Sequence, residues 1–204
     1  MNTPRPYLQL IQHFSQYIQP KDKRHLTVFS EIVSAILLSG SGCLSHWLSF
    51  LSHRDCKARS HMARLSYFLL NQKITPSIFY QPLLQFFLQS WHDQPILLVL
   101  DTSVLWDQFC LIEVSFVWGG RSFCLAQKVI EHGSATVGFS DYVPVLEMAR
   151  QTLPANCQVT FLADRGFEHS QLIHWLNKYH WSWYIRAKCD LSIKRHGHSH
   201  CSLD

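Results

Sequence analysis

The chain of 204 residues lacks both glycine-rich phosphate-binding motifs, GxGxxG and GxxxxGK[ST]. Their absence argues against a nucleotide-binding α/β protein. The chain also has no Cys-x2-Cys pair, and its seven cysteines form an odd set in which several lie inside apolar runs. We therefore interpret the cysteines as reduced, buried small side chains of a cytosolic protein.

Membrane and export segments are missing too. No uninterrupted apolar stretch approaches the roughly 18 residues of a membrane span, and residues 1–6 lack the apolar core of a signal peptide. The expected compartment is the cytoplasm, with no membrane partner. What the chain does contain is 47% hydrophobic and 16% charged residues, which indicates a globular protein with a real core.

Positive charge is concentrated in the first half of the chain. Residues 1–95 carry nine Lys or Arg against four Asp or Glu, whereas residues 96–204 carry nine against ten. A basic segment joined to one with paired carboxylates suits a polyanionic partner, with binding and chemistry divided between the segments. Ordinary scatter is the alternative, because this imbalance is weak support by itself.

Apolar residues recur at helical spacing throughout the first half. The pattern predicts helices over 7–18, 26–39, 43–53, 57–72 and 75–91, with Pro82 as a candidate kink in the last. Gly40-Ser-Gly42 separates the second and third segments, which gives them helix-turn-helix proportions. This pair either recognises DNA or is ordinary helical packing.

A basic face is predicted for the helix over 57–72. Lys57, Arg59, His61 and Arg64 alternate there with apolar residues at amphipathic spacing. The cations either contact DNA phosphates or are only solvated. Lys57, Arg59 and Arg64 are therefore candidate DNA-binding residues.

After residue 95 the spacing of apolar residues changes from the helical pattern to one that includes strand-like runs. Strand-like runs cover 96–100, 109–118, 121–130, 158–163 and 181–185, and helical patterns cover 142–153 and 168–180. Gly119-Gly120 is a two-residue hairpin signal between the second and third strands. The order β-β-β-α-β-α-β resembles the ribonuclease H-like fold, which implies that the first strand lies beside the fourth and parallel to it. The predicted class is α/β with a mixed sheet, preceded by an all-helical region.

Two of these strands end in an aspartate, Asp101 and Asp164. The end of a strand is where open α/β sheets place ligand and catalytic groups. A single aspartate at the end of a strand can also be a helix cap or a turn residue. Because the arrangement occurs twice, we favour a role for both aspartates in ligand binding or catalysis. Two carboxylates on neighbouring strands are hard oxygen ligands suited to Mg²⁺. Three other acids are interpreted as solvent-facing or turn residues of the strand meander: Asp107, Glu113 and Glu131.

Three short motifs in this region carry a family resemblance. They are Leu98-Val-Leu-Asp101-Thr102-Ser103, Leu162-Ala-Asp164-Arg165-Gly166-Phe167 and Trp183-Tyr-Ile-Arg186-Ala-Lys188. Their order and spacing resemble the catalytic-core motifs of bacterial insertion-sequence transposases of the DDE class. The similarity spans about residues 96–188, and the helical first half is compatible with the DNA-binding end of that family.

The resemblance implies two-metal phosphoryl transfer on DNA, with three carboxylates holding two Mg²⁺ or Mn²⁺ ions. Asp101 and Asp164 match the first two carboxylates of the family, as catalytic residues and metal ligands. It also implies transposon ends as the DNA partner, with a homodimer or full-length transposase as a protein partner. Three cations that flank the site could contact DNA phosphates or lie at a solvated strand edge: Arg165, Arg186 and Lys188.

The third carboxylate of the family is not found. It belongs to a Tyr-x2-Arg-x3-Glu-x6-Lys pattern that does not occur here, and the acids after Asp164 are Glu168, Asp190 and Asp204. Glu168 has the position of an ordinary first-turn acid, and Asp190 follows the last strand too closely. We therefore expect a truncated, catalytically impaired transposase. The expected regions are a helical, DNA-binding region at 1–94, a partial catalytic core at 95–188 and a disordered tail at 189–204.

The tail holds alternating histidines and Cys201, which could chelate Zn²⁺, although nothing fixes their geometry. It is equally explained as out-of-frame sequence after a frameshift. Two other readings of the chain stay open: a non-catalytic DNA-binding regulator derived from a transposase, and another ribonuclease H-like nuclease. DNA downstream that continues to a Tyr-x2-Arg-x3-Glu segment in another frame would favour truncation.

Overall fold

The computed structural model describes residues 5–51, 56–187, 192–193 and 201–202. The chain forms two compact units, residues 1–87 and 88–204. The first is built from helices and the second around a β-sheet. The sequence-based boundary at 94–95 lies seven residues after this division, where the first strand begins.

The helical unit packs around a core of aromatic and aliphatic side chains, among them Phe14, Ile32, Trp47 and Leu65. Its second helix begins at the N-cap Asp22, whose carboxylate accepts the Arg24 N–H, and it ends at Gly40 with φ of 61°. The helices are α1 (Arg5–Phe14), α2 (Lys23–Ser39), α3 (Leu44–Trp47), α4 (Ala58–Leu70), α5 (Pro76–Phe79) and α6 (Gln81–Leu88). Helix α6 ends at the first residue of the second unit.

Two helices of this unit differ from the sequence prediction. The helix predicted over 43–53 stops at Trp47 and tightens into a 3-10 turn, Leu48–Phe50, so the helix-turn-helix interpretation lacks a full second helix. The helix predicted over 75–91 is broken at Tyr80 into α5 and α6, next to Pro82. Within the described residues, no single helix is long and apolar enough to cross a membrane, although the pair Lys23–Ser39 and Leu44–Phe50, bent by 95°, passes that test by length and composition.

The second unit has a five-stranded mixed sheet in the order β3-β2-β1-β4-β5. Strands β1 to β3 are antiparallel neighbours, whereas β1, β4 and β5 run parallel. The predicted α/β class and the parallel adjacency of the first and fourth strands are therefore present. The strands are β1 (Pro95–Leu105), β2 (Phe109–Trp118), β3 (Arg121–Glu131), β4 (Gln158–Ala163) and β5 (Ser182–Ile185), and the helices are α7 (Phe139–Thr152) and α8 (Ser170–Lys178).

Within the predicted disordered tail, four residues are described, and they form a small antiparallel pair of β6 (Ser192–Ile193) and β7 (Cys201–Ser202). The other residues of the 189–204 segment lie outside the described part of the chain, and so do the histidines of the suggested Zn²⁺ site.

One face of the five-stranded sheet is buried by α7 and α8. Alternate residues of β1, including Leu98 and Leu100, are fully buried there. Helix α7 packs against β2 and β3, while Trp181 joins Phe161 of β4 to Trp175 of α8 through ring contacts at 6.2 and 5.2 Å. The intervening β1 residues, including Asp101, therefore face the opposite side of the sheet.

Glu147 of α7 holds the two helices together. Its carboxylate accepts hydrogen bonds from Trp175 Nε1 at 3.0 Å, Tyr179 Oη at 3.2 Å and Arg150 Nε at 2.9 Å. The Arg150 guanidinium also lies 4.6 Å from the centre of the Tyr179 ring. Burial raises the pKa of Glu147, but these hydrogen bonds together outweigh burial, and the pKa is lowered.

We predict that Glu147→Gln lowers the free energy of unfolding by about 1 to 2 kcal/mol at neutral pH, because charge-assisted hydrogen bonds are replaced by weaker ones. A carboxyl group whose pKa is lowered by folding stabilises the fold at every pH above its pKa in the unfolded chain, which is near 4.5. This stabilisation is lost as the pH falls through the lower pKa that the group has in the folded protein. The difference in the free energy of unfolding between the variant and the parent chain should therefore become smaller at acidic pH. Urea denaturation at several pH values measures it, with exposed Glu131→Gln as the control; equal effects of the two substitutions would contradict the prediction.

Candidate functional site

Asp101 and Asp164 are brought together by the register of two parallel strands. Leu100 of β1 is paired with Ala163 of β4, and each aspartate is the next residue in its chain. Neighbouring strands lie about 4.8 Å apart, so the two carboxylates project from adjacent positions on the same face of the sheet. Both residues are exposed. The sequence-based expectation that these aspartates are neighbours is met.

The position of Asp101 differs from the prediction in one respect. Strand β1 continues for four residues beyond it, to Leu105, because that segment remains paired with β2. Asp101 thus ends the parallel ladder with β4 but not the strand itself. Its Oδ1 accepts the Thr102 N–H at 2.8 Å, and the Thr102 hydroxyl donates to the Ala135 carbonyl at 2.9 Å. The connection between β3 and α7 is therefore attached to β1 beside the aspartate.

Asp164 follows β4 and begins the 3-10 turn Arg165–Phe167. Its carbonyl accepts the Phe167 N–H at 3.0 Å, and the Phe167 ring is buried 5.5 Å from that of Tyr142 on α7. This buried ring anchors the turn, so the Asp164 backbone has a defined position. The signal for it in the sequence is the apolar Phe167 that follows Arg165 and Gly166.

Arg186, one of the cations predicted there, lies beside Asp164. Its backbone N–H donates to the Ala163 carbonyl at 3.1 Å, which continues the pairing of β4 and β5. Its guanidinium lies 3.9 Å from Asp164 Oδ1, with the two side chains 75% and 62% exposed. An ion pair this exposed adds little stability, and its Arg is accessible to a phosphate. Arg165 is also exposed, whereas Lys188 lies outside the described residues.

The cations predicted on α4 have two different surroundings. Lys57 and Arg59 are exposed at the start of the helix. Arg64 instead forms an ion pair with Glu31 of α2, and the Glu31 side chain is completely buried while that of Arg64 is 21% exposed. His61 is buried as well, with Arg64 Nη2 at 3.4 Å from its Nδ1. The predicted basic face is therefore divided, and Arg64 has a partner within the helical unit.

Glu113 corrects the sequence interpretation. It was expected to be solvent-facing or in a turn, but it lies in the middle of β2, half-buried, and directly opposite Asp101. Its carboxylate accepts the Ser115 hydroxyl. Burial, with the nearby Glu113 charge, raises the pKa of the Cys124 thiol to about 11. Asp101, Glu113 and Asp164 thus share one side of the sheet, which we call the carboxylate face.

These carboxylates do not form a three-ligand metal site. Glu113 and Asp164 are two strands apart, roughly 10 Å at ordinary strand spacing. Within the described residues, no group of three or more His, Cys, Asp or Glu side chains could hold a metal ion. Asp101 and Asp164 suit a single Mg²⁺ that keeps several waters, because this ion is commonly held by one or two carboxylates. They do not suit the pair of ions that the transposase resemblance implies.

No protein-family model matches the chain, and no curated protein does.

We predict that Arg64→Met lowers the free energy of unfolding of the helical unit by about 3 kcal/mol, because the buried Glu31 carboxylate loses this cation. Arg59→Met, on the same helix but exposed, should change it by less than about 0.5 kcal/mol. Urea denaturation followed by circular dichroism measures both. If the two variants were equally stable, the Arg64–Glu31 ion pair would not contribute to the stability of the helical unit, which would contradict the prediction.

Proposed function

We propose that this chain is a transposase of the DDE class in a catalytically impaired form, which binds DNA through its basic residues and a divalent cation through Asp101 and Asp164. The observation that carries the proposal is the pairing of Leu100 with Ala163, which aligns the two aspartates on adjacent parallel strands. They are the two residues that match the first and second carboxylates of the resembled family.

The sheet topology supports a ribonuclease H-like core. An antiparallel meander, β1 to β3, is followed by β4 and β5 parallel to β1, in the order 3-2-1-4-5. Helices α7 and α8 cover one face and leave both aspartates on the other. Fold alone does not define an activity, so the proposal depends on the placement of the carboxylates rather than on the strand order.

The metal expected at this site is Mg²⁺ or Mn²⁺. A bound ion would polarise a phosphodiester oxygen as a Lewis acid. The protein supplies two exposed carboxylates that fix the ion at the end of the parallel ladder, and Arg165 and Arg186 beside them to hold a DNA phosphate. Two carboxylates leave the second ion of a two-metal mechanism without its ligands.

The expected nucleic-acid partner is a transposon end. Lys57 and Arg59 are exposed at the start of α4 and available to DNA phosphates, whereas Arg64 contributes mainly to the packing of the helical unit. The expected protein partner is a second copy of this chain or a full-length transposase, and of the two only the full-length transposase would supply the missing carboxylate. The compartment that this function requires is the cytoplasm.

A second function follows from the same incomplete site. A chain that binds transposon ends without cutting them would compete with active transposase as a DNA-binding regulator. The absence of a three-ligand metal group within the described residues favours this alternative. The two functions are distinguished by mixing the chain with full-length transposase. A partner in catalysis would support strand transfer in the mixture, whereas a competing regulator would inhibit the strand transfer that the full-length enzyme carries out.

The metal site is tested with Mn²⁺ as the probe. We expect one Mn²⁺ per chain by electron paramagnetic resonance, with Asp101→Asn and Asp164→Asn each weakening it at least tenfold, because each removes one of two charged ligands. Asp107→Asn, in the turn beyond Asp101, is the matched control and should leave the affinity unchanged. Equal effects of the three substitutions would remove the support for this site.

The impaired chemistry is tested in a strand-transfer and cleavage assay. We predict that this 204-residue polypeptide alone neither cleaves nor joins DNA in Mg²⁺ or Mn²⁺, because a two-metal site that lacks one carboxylate loses several kcal/mol of transition-state stabilisation. Turnover that Asp101→Ala abolishes would overturn this prediction and indicate a complete active site.

A further inference from the structure

The helical unit contains a cavity of about 320 Å³ between α2 and α4, which we call the α2–α4 cavity. Its apolar lining comes from the buried Val28 and Phe68, and Tyr67, which is 68% exposed, adds an aromatic ring. Arg24 and His25 supply polar groups. Small-molecule sites combine these two kinds of lining in volumes of roughly 300 to 1,000 Å³. The cavity therefore has the composition of a small ligand site.

Positive charge predominates at the start of α2, beside this cavity. Lys21, Lys23 and Arg24 are exposed in this short segment. Asp22 is its one carboxylate. Arg64 also lines the cavity, but a buried carboxylate balances its charge. Because an excess of exposed cations attracts anions and repels other cations, the surroundings of the cavity favour an anionic ligand.

The carboxylate of Asp22 is engaged with Arg24. Its Oδ1 accepts the Arg24 backbone N–H at 2.9 Å and Nε at 3.1 Å, and its Oδ2 accepts Nη2 at 2.8 Å. These hydrogen bonds lower the pKa of Asp22 to about 2, so this group is charged at neutral pH. The Arg24 and Asp22 side chains are 89% and 33% exposed, and an ion pair this exposed adds little stability. The Arg24 guanidinium can therefore exchange Asp22 for another anion at low cost.

His25 provides a second donor, and its neighbours define its tautomer. The Lys73 N–H donates to Asn71 Oδ1 at 3.0 Å, so the amide nitrogen of Asn71 is the atom that lies 3.3 Å from His25 Nε2. An amide nitrogen only donates, so Nε2 accepts and the proton of the neutral ring is on Nδ1. That N–H makes no hydrogen bond to the described residues. Arg24 and His25 thus both offer donors to a ligand.

We propose that the α2–α4 cavity binds a small molecule with an anionic headgroup on an aromatic body. The headgroup replaces Asp22 at the Arg24 guanidinium and accepts the His25 N–H. The body packs against Phe68 and Tyr67, because aromatic rings attract one another in edge-to-face and offset arrangements. A carboxylate and a phosphate share this chemistry, since both match the planar guanidinium group. The inference involves the helical unit alone and does not depend on the proposed function.

The probe is 2-naphthoate, an aromatic carboxylate, and its affinity for the full chain is measured by isothermal titration calorimetry. Three analogues keep the ring system and change the headgroup: 2-naphthyl phosphate is anionic, 2-naphthalenemethanol is neutral and 2-naphthylmethylamine is cationic. Arg24→Met removes the cation that binds the headgroup. Arg121→Met is the matched control, because Arg121 is also exposed but lies on β3, in the other unit.

We expect both anions to bind roughly tenfold more tightly than the neutral and cationic analogues, because charge-assisted hydrogen bonds are stronger than neutral ones. Arg24→Met should weaken the binding of 2-naphthoate about tenfold, and Arg121→Met should leave it unchanged. Asp22→Asn should instead strengthen it about threefold, since asparagine still caps α2 but competes less for Arg24. A general loss of stability would weaken binding in both variants, so the opposite signs identify the site.

The aromatic contact is tested at Tyr67, whose exposure permits replacement without loss of folding. Tyr67→Phe should retain the affinity for 2-naphthoate, and Tyr67→Ala should lower it about fivefold.

Whichever anion binds more tightly identifies the headgroup as carboxylate or phosphate, and either result supports the site. Equal affinities for the anionic and neutral analogues, equal effects of Arg24→Met and Arg121→Met, or no saturable binding of either anion would overturn the proposal.

Discussion

The pairing of β1 with β4 is the interaction on which the candidate site depends. Each strand is anchored by buried aliphatic and aromatic residues on one face, so a shift of one position would turn that apolar set to the other side. The same packing therefore fixes Leu100 opposite Ala163, and with them the aspartates that follow. The two carboxylates can be exposed and have few side-chain contacts, because the packing of the two strands fixes the position of their backbone.

The buried face supports the site from a distance. Glu147 joins α7 to α8 through three hydrogen bonds, and Tyr142 and Phe167 connect α7 to the turn that begins at Asp164. Next to Asp101, the Thr102 hydroxyl holds the segment after β3 against β1. Rigid elements of this kind hold reactive groups more precisely than free loops do. Arg186 lies exposed at the edge of this framework, beside Asp164.

Much of the secondary structure follows from local pattern. Strands β2 and β4 have the predicted bounds, and Gly119-Gly120 forms the predicted turn, because alternation of apolar residues and positive φ at glycine are local properties. The errors occur where long-range pairing decides. Polar residues after Leu100 suggested the end of a strand, but β2 continues to pair with them. Likewise, Arg64 looks like a surface cation until Glu31, 33 residues earlier, is placed beside it.

The sequence by itself determined the α/β class, the helical first half and the two aspartates at the ends of apolar runs, because each depends on residue type and short periodicity. Only the tertiary structure decided that Glu113 shares a face with Asp101 and that Arg64 is engaged in an ion pair. These depend on strand register and helix packing between residues far apart in the chain. Such contacts are set by how the whole core is buried, and no short stretch of sequence encodes them.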